Sequence, residues 1–507
     1  MNSRTMRIVL RVMQVGAIAV VLAATTLNVF ELDRFFVPKE LVLHATALIA
    51  GILALHRITI TRVDRLLMVY MLTIALSAAF ATNRWLALRA VAISASGILL
   101  FWSARALRDA GLARPLLGTL ALAIVIAALT ALAQAYGIDL AFFSENRAPG
   151  GTFGNRNFVA HIAAFGLPLL LLAALRAQKF WLGAIGTALV TATLVLTRSR
   201  AAWLAFGVVL FVMLVALLIA QPLRRDARIW RRLAAIALLC GCGVAAALVT
   251  PNALRWRSRN PYLETLERVA EYREGSGRGR LVQYEQSLRM AAHHPIFGVG
   301  PGNWAVEYPK HAVRNDPSMS DSDAGMTFNP WPSSDWIASV AERGLFATVM
   351  LALALIGIAL GAFRQLVAAR DAEESLDAMT LIATLIGVVV VGMFDAVLLL
   401  AAPTFLVWPA LGALWTPPQS TSRQPLKYAF VILAAIGTAR SAAQIIAMQT
   451  YATHSDRASL ERASRIDPGN YRLQLRLARM GPRKLRCEHA RAAHALYPHA
   501  KPGVSCY

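Results

Sequence analysis

Apolar residues do not alternate along this chain; they run solid. Stretches of about twenty apolar residues recur up to residue 448, each long enough to cross a ~30 Å hydrocarbon layer. Thirteen such spans are predicted, at 8–30, 39–56, 66–82, 86–104, 115–136, 157–176, 180–197, 200–220, 233–250, 336–362, 378–396, 399–415 and 427–448. The pattern predicts an all-α, polytopic transmembrane helical bundle. A transmembrane β-barrel is excluded, because its strands alternate apolar and polar positions. The chain divides into spans one to nine (1–250), a large loop (251–335), spans ten to thirteen (336–448) and a short tail (449–507). The first span carries no small-residue cleavage site before a soluble domain, so it reads as a retained helix.

Composition agrees. Of 507 residues, 57% are hydrophobic and 16% charged, and the mean hydropathy is +0.53; soluble proteins carry about 25% charge. A cytosolic enzyme and a disordered chain are both excluded. The net charge of +23 is no nucleic-acid signal by itself, because placement decides what it means. With the N-terminus in the cytoplasm, 20 Lys and Arg residues fall in the short loops of that side, as the positive-inside rule requires. An odd number of spans then puts the large loop and the C-terminus outside. The loop is nearly neutral, with ten basic and nine acidic residues before Asp335.

The tail holds eleven basic residues against four acidic ones. That excess either faces anionic membrane lipids and phosphorylated glycolipid or forms a solvated basic helix. Its helix ending in Asp467-Pro468-Gly469-Asn470, followed by Leu473, Leu475 and Leu477, resembles a tetratricopeptide unit. At about one and a half repeats it is too short to stand alone, so it is expected to pack on the large loop. Cys487 and Cys506 are placed to form a disulfide in an oxidising compartment. Cys240 and Cys242 sit mid-span and read as packing.

Four polar clusters, all on the outer side, are candidates for chemistry. Gly150–Asn157 opens the sixth span; it is either a plain turn with an N-cap at Asn155 or a helix start offering its amides to an anion. Arg198 and Arg200 stand against the sidedness rule at the start of the eighth span, held there by an anion or snorkelling to lipid phosphates. An amphipathic helix of about fourteen residues, carrying Arg280 and Tyr284, leads into the Pro295–Trp304 turn; its helical period sets the expected length. That turn is no dinucleotide fingerprint, since it follows a helix and contains a proline. Finally, Ser333, Ser334 and Asp335 run into a span that carries Glu342, Arg343 and Gly344. No sequence pattern of metal ligands and no Walker A motif is present, so neither a metal nor a nucleotide cofactor is expected.

In this order the clusters, with Phe36-Val37-Pro38-Lys39, resemble the O-antigen ligase and polymerase superfamily over about residues 30–415. It includes lipid A-core O-antigen ligases, O-antigen and capsule polymerases, and O-linked protein oligosaccharyltransferases. The resemblance implies a GT-C-like, inner-membrane glycosyltransferase with a periplasmic loop. Such an enzyme moves a glycan from undecaprenyl pyrophosphate to lipid A core, another glycan or a protein, without metal. By position Arg200 and Arg280 match the arginines that bind the pyrophosphate, with Arg198, Asn155 and Asn157 beside them. The family's catalytic histidine position is Ser333 here, and the last glycine of its Gly-x-x-Gly is Ala347. Asp335 is the expected base; His311, or a reaction with no base, is the alternative. A flippase of lipid-linked glycan and an inactive scaffold are the rival readings.

Overall fold

The computed structural model describes residues 3–27, 33–144, 147–256, 258, 260–267, 275–320, 326–396, 398–417, 426–499 and 506. Among them lie twenty α-helices and no strand, only an isolated bridge between Met319 and Thr327. The first half holds α1 (Ser3–Leu22), α2 (Asp33–Ala54), α3 (Arg62–Ala79), α4 (Arg84–Asp109), α5 (Ala113–Ala135), α6 (Arg156–Arg176), α7 (Phe180–Thr197), α8 (Arg200–Ile219), α9 (Gln221–Arg225) and α10 (Ala227–Val249). The large loop holds α11 (Pro261–Glu267), α12 (Gly275–His293) and α13 (Trp304–Glu307). The chain re-enters the bundle through α14 (Asp335–Ala368), α15 (Ala372–Gly392), α16 (Ala401–Leu414) and α17 (Lys427–Thr453). The tail holds α18 (Arg457–Ile466), α19 (Tyr471–Leu477) and α20 (Arg483–Leu496).

A helix stands at each of the thirteen predicted segments; among the described residues eleven of these helices are long and apolar enough, by length and composition alone, to cross a membrane. The other two are α3 and α16. Three charges, Arg62, Asp64 and Arg65, open α3. At 14 residues α16 spans about 21 Å, and every one of its residues is buried. It is a core helix packed against α4 rather than a lipid-facing span. The first span also ends early. Beyond Leu22 the backbone leaves the helix, the Thr25 amide donating to the Arg34 carbonyl and Lys39 to the Ala23 carbonyl.

Two polar joints fix the helices. Thr61 and Asp64 form a capping box at the start of α3. The Asp64 carboxylate also accepts from Trp102 Nε1 at 2.8 Å and Arg105 Nη1 at 2.9 Å on α4. The second joint is made of backbone. Helix α14 breaks at Gly344, whose φ is +80°, and the Pro295–Gly300 segment threads into the break. Leu345 N donates to Pro295 O, Val299 N to Ala341 O and Gly300 N to Glu342 O, at 2.8–3.0 Å. A Cβ on Gly344 would lie 2.0 Å from Ile296 O, and one on Gly298 2.4 Å from the Glu342 carbonyl carbon. Only glycine fits either place. The Gly/Pro string after α12 is therefore a dock that seats the large loop on the bundle.

The tail packs on three elements. Leu460, Ala463, Leu473 and Leu477 cluster with Ala447 of α17. Tyr471, Leu475 and Ala493 cluster with Met326 of the large loop, as expected. The α3–α4 turn is a further contact, where Trp85 Nε1 donates to Asp467 at 2.6 Å and Asn83 Nδ2 to Gly469 O at 3.2 Å. Cys487 and Cys506 are disulfide-bonded. Cys240 and Cys242 are free.

Candidate functional site

Two helix starts face one cavity. At α6, Asn155 is the N-cap and accepts from the Asn157 amide at 3.0 Å. The turn before it is held by Gln134, which accepts from the Gly150 and Gly151 amides at 2.8 and 2.9 Å. Lys39, 2% exposed, donates to the Thr152 carbonyl at 2.7 Å. The Gly150 and Gly151 amides are thus occupied within the protein, which favours the turn with an N-cap at Asn155 over the second reading of this motif. What this turn presents to the cavity is Arg156 and Asn157, at the first two positions of α6. Asn155 is buried behind them and shapes the turn.

At α8, Ser199 is the N-cap and Arg200 the first helical residue. Arg198 closes α7 with φ +55°, a left-handed conformation that a non-glycine residue adopts at a cost of about 1–3 kcal/mol. The kink turns its side chain to Thr265 Oγ1 at 2.9 Å and Glu264 at 3.6 Å. Its guanidinium and that of Arg156 lie 4.8 and 4.9 Å from the ring centre of Trp256. Such stacking holds guanidiniums in place while leaving their N–H edges for a ligand.

The third wall is α12. It runs from Gly275 to His293, 19 residues rather than the fourteen expected. Arg280, Gln283 and Tyr284 share one of its faces. Gln283 accepts from the Ser333 amide at 2.7 Å and donates to Ser318 Oγ at 3.2 Å. The Tyr284 hydroxyl lies 2.5 Å from the Ser333 carbonyl and 3.0 Å from that of Met393. Ser333 is pinned through its amide and carbonyl.

These walls enclose about 870 Å³, lined by Arg147, Arg156, Arg198, Arg200 and Arg280 with Asn157, Ser333 and one carboxylate, Glu264. Among the described residues, five guanidiniums against one carboxylate, with two helix N-termini adding partial positive charge, make a site for an anion of several charges. Arg198, Arg200, Arg280, Asn157 and Ser333, more than a hundred residues apart at the extremes, are brought together as expected. Arg147, Arg156 and Glu264 escaped the sequence reading, although Arg156 lies inside the Gly150–Asn157 motif.

Asp335 is placed elsewhere. It is 3% exposed and accepts from the Leu398 amide at 2.9 Å, tying the start of α14 to the loop after α15. It does not line the cavity. His311 does not line it either; its ring pairs with His293 at 5.6 Å. Burial, then the His293 and Lys310 charges, hold the His311 imidazole below its ordinary range.

A family model described as O-antigen ligase matches residues 184–352, about a third of the chain. The match runs from α7 into α14 and so contains Arg198, Arg200, Glu264, Arg280 and Ser333. Over that segment the chain is similar to this family, and the match supports a multi-pass membrane protein of the O-antigen-ligase type. The α6 start and the whole tail lie outside it. No curated protein matches the chain.

Proposed function

We propose that this protein is a glycosyltransferase that moves an oligo- or polysaccharide from undecaprenyl pyrophosphate to an acceptor hydroxyl on the periplasmic face of the inner membrane. The observation that carries the reading is the cavity with five arginines, three of them inside the segment similar to O-antigen ligases. The acceptor oxygen bonds to the anomeric carbon of the donor as that carbon's bond to the pyrophosphate breaks. The electron pair leaves with the lipid pyrophosphate, whose charge rises as it departs.

Arg200 and Arg280 meet that rising charge, with Arg156, Arg198 and Asn157 fixing the ground-state pose. Donors placed where charge develops contribute more to the transition state than to binding. Among the described residues no histidine lines the cavity. The hydroxyl proton therefore passes to a phosphate oxygen of the leaving group, and Ser333 shapes the wall rather than acting as a base near neutral pH. Asp335 is a positioning residue for the α14 start. Guanidinium charge does the neutralising here, so transfer is metal-independent.

The loop and the tail pack together, so the same side holds both only if α3 and α16 cross with the other eleven helices, and the reading that places the C-terminus outside rests on all thirteen. The test is transfer by the purified full chain, given undecaprenyl-pyrophosphate oligosaccharide in excess chelator. Transfer that Arg280→Ala removes supports the proposal; transfer that stops on chelation, or survives Arg280→Ala, refutes it.

A further inference from the structure

Behind the arginine cavity lies a second one of about 650 Å³ with a different chemistry. Its roof is the tail, through Asp467, Tyr471, Arg472 and Tyr497; its floor includes Trp85 and Arg89 of α4 and Arg343 of α14. Among the described residues four guanidiniums there face three carboxylates, a near balance that calls for no net anion. Most of these charges are already satisfied. Arg89 pairs with Glu40. Arg440 donates to the Trp85 carbonyl at 3.1 Å and to Gln444 at 2.9 Å. Glu342 accepts from the Gly302 and Trp304 amides at 2.9 and 3.1 Å. Arg343 is the exception. It is 4% exposed and its Nε has no partner, although it lines the cavity. A buried guanidinium N–H left unmatched is costly unless a ligand accepts from it.

The two cavities share a rim. Phe328, 62% exposed, lines both; Asn329 and Ser333 face the arginine side, Pro330 and Trp331 the other. A transfer between two substrates needs two seats that meet at one edge. The second seat is walled by rings, those of Trp85, Trp331, Tyr471 and Tyr497, with hydrogen-bonding groups of both signs between them. Flat C–H faces against rings and hydroxyls against paired donors and acceptors describe a neutral sugar.

Resting on the function proposed above, we propose that the cavity under the tail is the acceptor site and takes a neutral, hydroxyl-rich saccharide of about two or three rings, a size suited to a pocket of this class. The tail, which lies outside the family match, is on this view a substrate-binding element and supplies acceptor selectivity through Tyr471, Arg472 and Tyr497.

The full chain in lipid nanodiscs is probed by saturation-transfer NMR with two kinds of ligand. One is a panel of neutral trisaccharides of glucose, N-acetylglucosamine, mannose and rhamnose; the other is geranylgeranyl pyrophosphate. At least one trisaccharide should bind. Ala305→Phe, which fills the cavity, should abolish that binding, and the exposed Arg472→Ala should weaken it about tenfold, an ordinary loss for a well-placed contact. Neither should change prenyl pyrophosphate binding, whereas Arg280→Ala should remove the pyrophosphate and leave the trisaccharide. The proposal falls if no trisaccharide binds, if binding survives Ala305→Phe at full strength and Arg472→Ala leaves it unchanged, or if a serine-rich peptide binds there instead. Trisaccharide binding with no pyrophosphate binding would keep this site and remove the donor reading.

Discussion

Arg105, on α4 where it packs against α3, is 2% exposed and donates to both oxygens of Asp64, which is 0% exposed. Its other Nη group reaches the Thr59 carbonyl. That is a closed account of donors and acceptors, with Trp102 Nε1 completing it. Around the arginine cavity the ratio is reversed: among the described residues five guanidiniums surround one carboxylate, Arg156 and Arg198 lie over the face of Trp256, and Arg198 also reaches that carboxylate, Glu264. Both regions hold arginines among apolar helices. Matched charge holds helices together, whereas guanidiniums that outnumber the described carboxylates around a cavity suit an anion that comes from outside.

Loss of one member of the matched pair should have the largest effect. Arg105→Met leaves Asp64 buried and uncompensated, a penalty of about 3–5 kcal/mol, while replacing both partners by apolar residues is often close to neutral. Membrane levels of the protein should collapse in Arg105→Met and recover in Arg105→Met/Asp64→Leu. A single variant as abundant as wild type would show the pair to be dispensable and erase the contrast.

The cavity arginines should fail in the other observable. Arg200→Ala and Arg280→Ala should leave normal protein levels and slow glycan transfer about 10²–10³-fold each, the usual loss for one preorganised donor to developing charge. Lysine keeps a charge but not the fork, so Arg280→Lys should recover only part. Low abundance with normal turnover per molecule would move these arginines into the structural class.

Sequence legibility divides along the same line. The solid apolar runs gave helices at all thirteen places, because burial of an apolar helix is decided within the segment itself. For α3 and α16 they could not tell lipid-facing from core, because whether a helix faces lipid or protein depends on neighbours that the run does not contain. Arg198 and Arg200 were legible because they break the charge rule on a lipid-facing scale of cost. Arg156 was hidden inside a motif read for its glycines and asparagines, and Arg147 and Glu264 carry no local pattern at all. The backbone dock between Gly298 and Gly344 was visible only as two glycine clusters, since hydrogen bonds between main-chain groups leave no side-chain signature. The second cavity was illegible for the same reason: Trp85, Arg343 and Tyr497 meet only through the tail's fold.

Arg198 sits on the boundary between the two classes. Its left-handed backbone is strained for arginine and natural for glycine, while its guanidinium is partly matched by Glu264. Arg198→Gly should therefore be at least as abundant as wild type and transfer glycan about tenfold more slowly, less than the loss at Arg200 or Arg280 because a partly paired donor gives less to the transition state. A gain in abundance with unchanged turnover would make Arg198 a turn residue only.

The smallest effects are expected at Ser333 and Asp335, where they separate a wall from a base. The hydrogen bonds found at Ser333 run through its amide and carbonyl, so Ser333→Ala should preserve them and change turnover less than about threefold, within the range of ordinary surface substitutions. Asp335→Asn keeps an oxygen able to accept from the Leu398 amide and should behave similarly, whereas Asp335→Ala leaves that buried amide unmatched and should lower abundance by an amount set by about 1–3 kcal/mol. The two Asp335 variants thus divide positioning from proton transfer. A base must be a carboxylate, so Asn and Ala would be equally inactive at normal abundance; an anchor needs only an acceptor, so Asn would restore what Ala removes. If Asp335→Asn protein accumulates normally and cannot transfer, the proton goes to Asp335 after all, and the α14 start must move toward the cavity during the reaction.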